Sequence, residues 1–339
     1  EPLLNFAGRG DFAQRCTQKI HQYMQGRAVR YFKPVIFDDG NKVILSGGGL
    51  RIFDCQKEKF VQTISRLCNA ISGLSYSESK LFVINATSKG SVICIIYERI
   101  GETFCEMQRQ TIKGVNTDGG GPYFSSDEKY VFFCTESRRV WRYSLEDKTC
   151  TCIYEREYSD QSFFLDVYTD QLLIILGTSG QDDHCGIDVL DKDGTCLKSL
   201  RYHDARVNRE ILRGGWLNED EVLMVYPRIY DEPYDDHQII QWRSAVSLKY
   251  AANNWKIERA GNGLSSVCIS PMRNYIAYIW INMESMGYKV GICSFQSLQK
   301  IAEFAVEHYP NATFSNDDKY FFLCSDKYLK ADLTMIDKE

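Results

Sequence analysis

Apolar and polar residues alternate along this chain in short runs, not at helical spacing. Leu50-Arg51-Ile52-Phe53 and Phe60-Val61-Gln62-Thr63-Ile64 flank a polar stretch from Asp54 to Lys59. A period of two is that of a half-buried strand, and a short polar link with Asp, Lys or Gly is hairpin chemistry. The same arrangement recurs over 139–154, 186–200 and 289–304. A second pattern precedes these hairpins: a short apolar strand, a turn of Ser, Asp, Asn or Lys, then a strongly apolar strand. It begins at Val35, Pro122, Cys268 and Ala312, with weaker copies from Gly73, Leu165 and Gly214. The later strand of each pair is apolar at nearly every position, which predicts burial on both faces.

The first-strand anchors are Phe37, Tyr76, Phe124, Tyr168, Trp216, Ile269 and Phe314, spaced by about 46 residues on average. A four-stranded propeller blade takes about 40–50 residues. The pattern therefore predicts an all-β fold, a seven-bladed β-propeller of four-stranded blades over residues 28–339. After Phe314 the chain offers three strands of the last blade. The strand-like Ala28–Phe32 is expected to supply the fourth and close the ring, so that no edge stays open. Residues 1–27 read as a helical extension or linker: Phe12, Cys16, Ile20, Tyr23 and Met24 share one helical face, with Asp11 as N-cap and Gly26 as a stop.

These stretches resemble the WD-repeat propellers. "LRIFDCQKEKFVQTI" is similar to the third strand, Trp-Asp dipeptide, turn and fourth strand of that family, with Phe53-Asp54 standing at the dipeptide. "YFSSDEKYVFF" resembles the family's Phe-Ser-Pro-Asp-Gly turn, and His203 resembles its loop histidine. The repeats are degenerate. No blade has a true Gly-His or Trp-Asp, and only Trp141 and Trp242, each followed by Arg, keep the Trp. Asp54, His203, Trp141 and Trp242 are the residues through which the resemblance implies a structural role. Propellers of this kind often end regulatory NACHT or NB-ARC-type proteins as sensors, so the resemblance implies a sensor region of a larger protein. The chain begins with Glu, and is read as a segment of a longer polypeptide.

Composition narrows the function. Hydrophobic residues are 44% and charged residues 25%, with a net charge of −5, so no global basic character invites nucleic acid or an anionic membrane. There is no apolar run long enough to span a bilayer as a helix. The thirteen cysteines mostly fall inside predicted strands and read as small buried hydrophobes of a reducing, cytoplasmic setting. Cys150 and Cys152 share one strand face without a second pair at zinc spacing. The Gly-rich segments at 46–50 and 118–124 lack the Lys-Ser/Thr and helix of a phosphate loop. Neither nucleophile elbow nor dinucleotide fingerprint is present, and no cofactor or metal is expected.

The longest interruption of the repeat, 228–237, is rich in Tyr and acid. Long loops on a rigid frame are where binding concentrates, so Arg228, Tyr230, Asp231, Tyr234, Asp235 and His237 are the candidate partner-binding residues. The expected function is a non-catalytic interaction or sensor scaffold that binds a protein or peptide through loops on one face, as a monomer. The alternative is a propeller enzyme, a hydrolase or lyase, with a His/carboxylate site in a central channel.

Overall fold

The computed structural model describes residues 34–335 apart from 48, 68–69, 88–89, 114, 116–119, 136–137, 157–161, 178–185, 202–212, 217–220, 227–240, 248–257, 262–263, 283–286, 296–299, 308–309 and 325–327. These residues form seven antiparallel sheets, each built from strands consecutive in sequence. Sheet one holds β1 (Val35–Phe37), β2 (Lys42–Gly47), β3 (Gly49–Asp54) and β4 (Lys59–Ser65). Sheet two holds β5 (Ile71–Leu74), β6 (Lys80–Thr87), β7 (Ser91–Ile100) and β8 (Thr103–Lys113). Sheet three holds β9 (Tyr123–Phe124), β10 (Tyr130–Thr135), β11 (Arg139–Ser144) and β12 (Cys150–Glu155). Sheet four holds β13 (Ser162–Tyr168), β14 (Gln171–Gly177), β15 (Gly186–Leu190) and β16 (Cys196–Arg201). Sheet five holds β17 (Arg213–Trp216), β18 (Glu221–Tyr226), β19 (Gln241–Ser247) and β20 (Glu258–Gly261). Sheet six holds β21 (Leu264–Ile269), β22 (Tyr275–Asn282), β23 (Gly287–Ser294) and β24 (Lys300–Val306). The last sheet holds β25 (Asn311–Phe314), β26 (Tyr320–Cys324) and β27 (Tyr328–Asp332).

The expectation of seven four-stranded blades with a leading helix is thereby corrected. Among the described residues six sheets have four strands and the seventh has three. Among the described residues the one helical element is a 3-10 turn, Leu333–Met335. It explains where the last sheet stops. The Asp332 carboxylate accepts the Thr334 N–H at 3.0 Å and its hydroxyl at 2.6 Å, and Leu333 is fully buried in the core. A local Asp turn of this kind takes the backbone out of the extended conformation. The helix expected over 8–27 and the strand expected over 28–32 lie outside the described residues.

The chain divides into two compact units, 1–114 with 268–339, and 115–267. Within each, apolar clusters draw on consecutive sheets. Phe37, Ile44 and Ile52 of sheet one pack with Leu81, Val83 and Ile95 of sheet two. Phe132 and Val140 of sheet three pack with Leu165, Ile174 and Leu176 of sheet four. Leu173 and Ile175 turn to the other face, with Trp216 and Val222 of sheet five. Ala277, Ile279 and Ile292 pack with Phe314, Phe321 and Leu323. Adjacent strand residues point to opposite faces, so a strand between two cores must be apolar throughout; "LLIIL" and "VFF" are such strands. Outer strands differ: β16 is largely exposed, and β24 is only partly buried.

The anchors follow this logic with one correction. Phe37, Phe124, Trp216 and Phe314 are buried, whereas Tyr76 is 44% exposed and sits in the turn after β5, where Leu74 is the buried residue. Two-sided burial makes a testable contrast. Ile174 and Ile175 are sequence neighbours on opposite faces of β14, both fully buried. In a sheet with one wet face only one of them would matter. Here Ile174→Ala and Ile175→Ala are each expected to cost about 2–5 kcal/mol, read as lowered urea midpoints.

Candidate functional site

The predicted partner-binding residues Arg228, Tyr230, Asp231, Tyr234, Asp235 and His237 lie outside the described residues, in the link between β18 and β19, and so does His203. Trp242 lies on β19, opposite Tyr226 and Arg259. Trp141 donates its indole N–H to Thr135 Oγ1 at 2.9 Å, tying β11 to β10. Asp54 caps its own hairpin, accepting the Lys57 N–H at 2.8 Å. Two of the four family-like residues thus have a visible structural task.

Cys105, Cys150, Cys152 and Cys196 are free thiols. Cys94, Cys134 and Cys293 are buried, and Cys105 and Cys196 are exposed. Burial, then the neighbouring Cys152, pushes the Cys150 thiol up to about 12, far from the thiolate that metals and redox chemistry need. No grouping of His, Cys, Asp and Glu suited to a metal occurs among the described residues. In the same set no helix is long and apolar enough to cross a membrane.

The best-defined chemistry lies in the turns between first and second strands. Four of them share one construction. Ser75, Ser125, Ser270 and Ser315 each accept, at Oγ, the N–H of the residue five places on, at 2.9–3.1 Å. Each also accepts, at its carbonyl, the N–H of the residue three places on. That third residue is left-handed: Glu78 (φ 57), Glu128 (φ 53), Arg273 (φ 64) and Asp318 (φ 57). Glycine is the usual occupant of such a position, because a Cβ there costs about 1–2 kcal/mol.

Acidic side chains at left-handed positions repay this strain by reaching the preceding sheet. Asp318 accepts the Met272 N–H at 3.0 Å, the Asn274 N–H at 3.1 Å and the Ser270 hydroxyl at 2.5 Å. Asp170 (φ 62), in the turn after β13, accepts the Ser126 N–H and hydroxyl, both at 2.9 Å. Glu78 accepts the Asp38 N–H at 2.9 Å. Asn316 adds a further tie, donating from Nδ2 to the Ser75 carbonyl at 3.0 Å.

Around Glu78 the ties grow into a chain of alternating charge across sheets one and two: Asp54, Lys57, Glu102, Lys42, Asp38, Arg99, Glu78. Its shortest ion pair joins Arg99 to Asp38 at 2.8 Å, and the same guanidinium lies over the Phe37 ring, 5.3 Å from its centre. Burial alone would raise the Asp38 carboxyl, but hydrogen bonds from Arg99 and Lys42 outweigh it and hold the group below the usual range. Glu78 moves the other way, pushed up by burial. A split pair of carboxylates is what acid–base chemistry needs. These two are already engaged by a guanidinium, an ammonium and a backbone amide, so the arrangement serves as a brace.

A second brace stands in sheets three and four. Asp188, buried, accepts from the Tyr154 hydroxyl at 2.7 Å, Ser199 Oγ at 2.7 Å and Arg201 Nη1 at 2.7 Å. Burial and the nearby Asp188 push the Tyr154 phenol well above its ordinary value. Beside the Ser315–Lys319 turn two large side chains are exposed: Tyr76, and Met272 at 55% exposure. Both border the Ser315–Lys319 turn, Tyr76 next to the Ser75 carbonyl that Asn316 holds and Met272 through its N–H to Asp318. Sequence reading placed Tyr76 in a strand and gave Met272 no role; acid in place of glycine was the signal in these turns.

Solved structures share this architecture. A hydrazine synthase structure from Kuenenia stuttgartiensis superposes with a TM-score of 0.63 at 13% identity, over 91% of this chain and 99% of that one. A structure of U3-55K superposes with a TM-score of 0.58 at 13% identity, over 89% and 95%. The chain is a β-propeller. At this identity the likeness shows the fold alone. No protein-family model matches the chain, and no curated protein matches it in sequence.

Two outcomes test the propeller's charge chain. The Lys42 side chain is only 4% exposed, and its nearest counter-ion is Asp38 at 3.0 Å, with Glu102 farther off at 3.6 Å. Asp38→Ala is expected to cost about 2–3 kcal/mol, whereas Lys42→Met stays within about 1 kcal/mol of wild type, because an apolar replacement leaves no buried charge behind. Urea midpoints distinguish them. A depressed carboxyl stabilises the fold fully above the unfolded value of about 3.9 and loses that contribution as pH falls through its lower folded value. In Arg99→Gln the Asp38 titration, followed by carboxyl-carbon NMR, is expected to move upward toward 3.9, with the acid limb of stability moving to higher pH.

Proposed function

We propose that this propeller is a non-catalytic scaffold that binds a protein or peptide partner. The observation that carries the reading is the braced turn edge of sheets one, two, six and seven. Asp38, Glu78, Arg99 and Asp318 are engaged with each other or with backbone amides, while Tyr76 and Met272 are exposed beside them. A rigid edge loses little entropy on binding, and aromatic residues and methionine are favoured in interface cores. Segment 228–237, with Arg228, Tyr230, Asp231, Tyr234, Asp235 and His237, is a second contact in this proposal. A cytoplasmic location, a monomeric state and service as the sensor part of a larger NACHT or NB-ARC-type protein belong to the same reading and rest on the WD-like resemblance.

The test is affinity capture from the source cells with three baits: wild type, Tyr76→Ser with Met272→Ser, and a chain whose 228–237 segment is replaced by a Gly-Ser linker of equal length. A partner retained by wild type and recovered at least tenfold less by one of the altered baits is the expected result. Undiminished recovery on both baits removes these surfaces. A small molecule chemically converted by purified wild-type protein overturns the non-catalytic reading.

A further inference from the structure

Two exposed large apolar side chains stand at one end of sheet two. Its strands run antiparallel in sequence order, so the β5–β6 and β7–β8 links lie at the same end. Tyr76 is in the first link, and Ile100, 60% exposed, closes β7 at the second. Pairing of β7 with β6 stops at Glu98, so Arg99 and Ile100 run on beyond it to a two-residue turn, Gly101-Glu102. The tip stands clear: among the described residues a Cβ on Gly101 would meet nothing within 4 Å. It is also fixed. The Arg99 N–H donates to the Ser79 carbonyl at 2.8 Å, joining the two links, and Thr103 Oγ1 donates to the Ile100 carbonyl at 3.1 Å. Tight turns favour Gly, Asn, Asp and Ser, so a β-branched apolar residue held out at this corner does nothing for the turn itself.

Charge indicates what would cover these side chains. The described links at this end of sheets one, two and seven (38–41, 55–58, 75–79, 101–102 and 315–319) hold seven carboxylates against two lysines, Lys57 and Lys319. The ties of Glu78 to Asp38, Lys57 to Glu102 and Asn316 to Ser75 make these links one continuous edge. Arg99 and Lys42 come in from the strands and neutralise the inner pair, Asp38 and Glu78. Asp39, Glu102 and Asp317 are left exposed at the rim. Lys57 and Lys319, which pair with the last two, are themselves half exposed. Ion pairs in water are weak enough for an incoming cation to exchange with them. We infer that the partner docks here through a basic peptide segment. A large apolar side chain packs on Tyr76 and Ile100, and flanking Lys or Arg side chains meet Asp39, Glu102 and Asp317. This rests on the scaffold reading above and gives its partner a chemistry.

The probe is a library of random short peptides displayed on phage, selected against the whole chain, with the Kd of each selected peptide then read by fluorescence polarisation. Selected peptides are expected to carry net positive charge around a large apolar residue. Their Kd is expected to weaken at least tenfold in Tyr76→Ser with Ile100→Ser. In Glu102→Gln with Asp317→Asn it is expected to weaken several-fold and to depend less on salt. All four side chains are exposed, so urea midpoints are expected to stay close to wild type. Met107→Ser removes a comparably exposed apolar side chain on β8 and is expected to leave Kd unchanged. Peptides that depend on Tyr76 and Ile100 but are neutral or acidic overturn the inference and leave the scaffold reading intact. Peptides indifferent to Tyr76 and Ile100, or weakened only by replacing 228–237, place docking elsewhere and overturn it too, as does a selection that yields no binder.

Discussion

Everything in this fold follows from strands that must be dry on both faces. β6, β10, β14, β22 and β26 carry apolar side chains at consecutive positions, and each sheet so built can satisfy itself only between two neighbours. Ile174 and Ile175 show the constraint at its smallest: one faces Phe132 and Leu165, the other Trp216 and Val222. A sheet of this kind cannot be stable alone. Repetition is therefore a physical requirement before it is a sequence pattern, and the outer strands, relieved of the second core, are free to be polar.

Stacked apolar faces fix neither the rotation nor the offset of one sheet on the next with much precision, because dispersion and burial are not directional. The turns supply direction. A carboxylate on a left-handed residue projects away from its own hairpin and finds backbone N–H groups in the preceding turn, so strain at Asp318, Asp170 and Glu78 is offset by charge-assisted hydrogen bonds between sheets. In the regular family-like turn a glycine would avoid the strain and give up the bond. The acidic side chains at these left-handed positions thus help hold the sheets in register.

The frame was legible because alternation and two-sided burial leave a direct imprint on residue type. Six sheets follow from it strand by strand. Three features did not. β27 ends where Asp332 turns the backbone into the 3-10 turn at Leu333, an event set by one local hydrogen-bond pair and invisible to a period-two scan. Tyr76 looked like a strand anchor because aromatic residues favour strands, yet two residues of difference separate the buried Leu74 from the exposed turn. The cross-sheet ties pair residues 40 or more positions apart, and no local window carries that information. What was readable, in hindsight, is an acid three places after the turn serine, where glycine would be the cheap choice.

The same bookkeeping of charges separates structure from function. A paired ion in this edge has a cause: Lys42 is buried and needs Asp38, and Arg99 stacks on Phe37 and needs both Asp38 and Glu78. Removing such groups loosens the frame, and any effect on binding would come through the frame. Tyr76 and Met272 differ: both expose apolar surface to water beside a rigid turn. Hydrating such surface costs free energy in the isolated fold, and that cost is what the proposed docking of a partner would relieve.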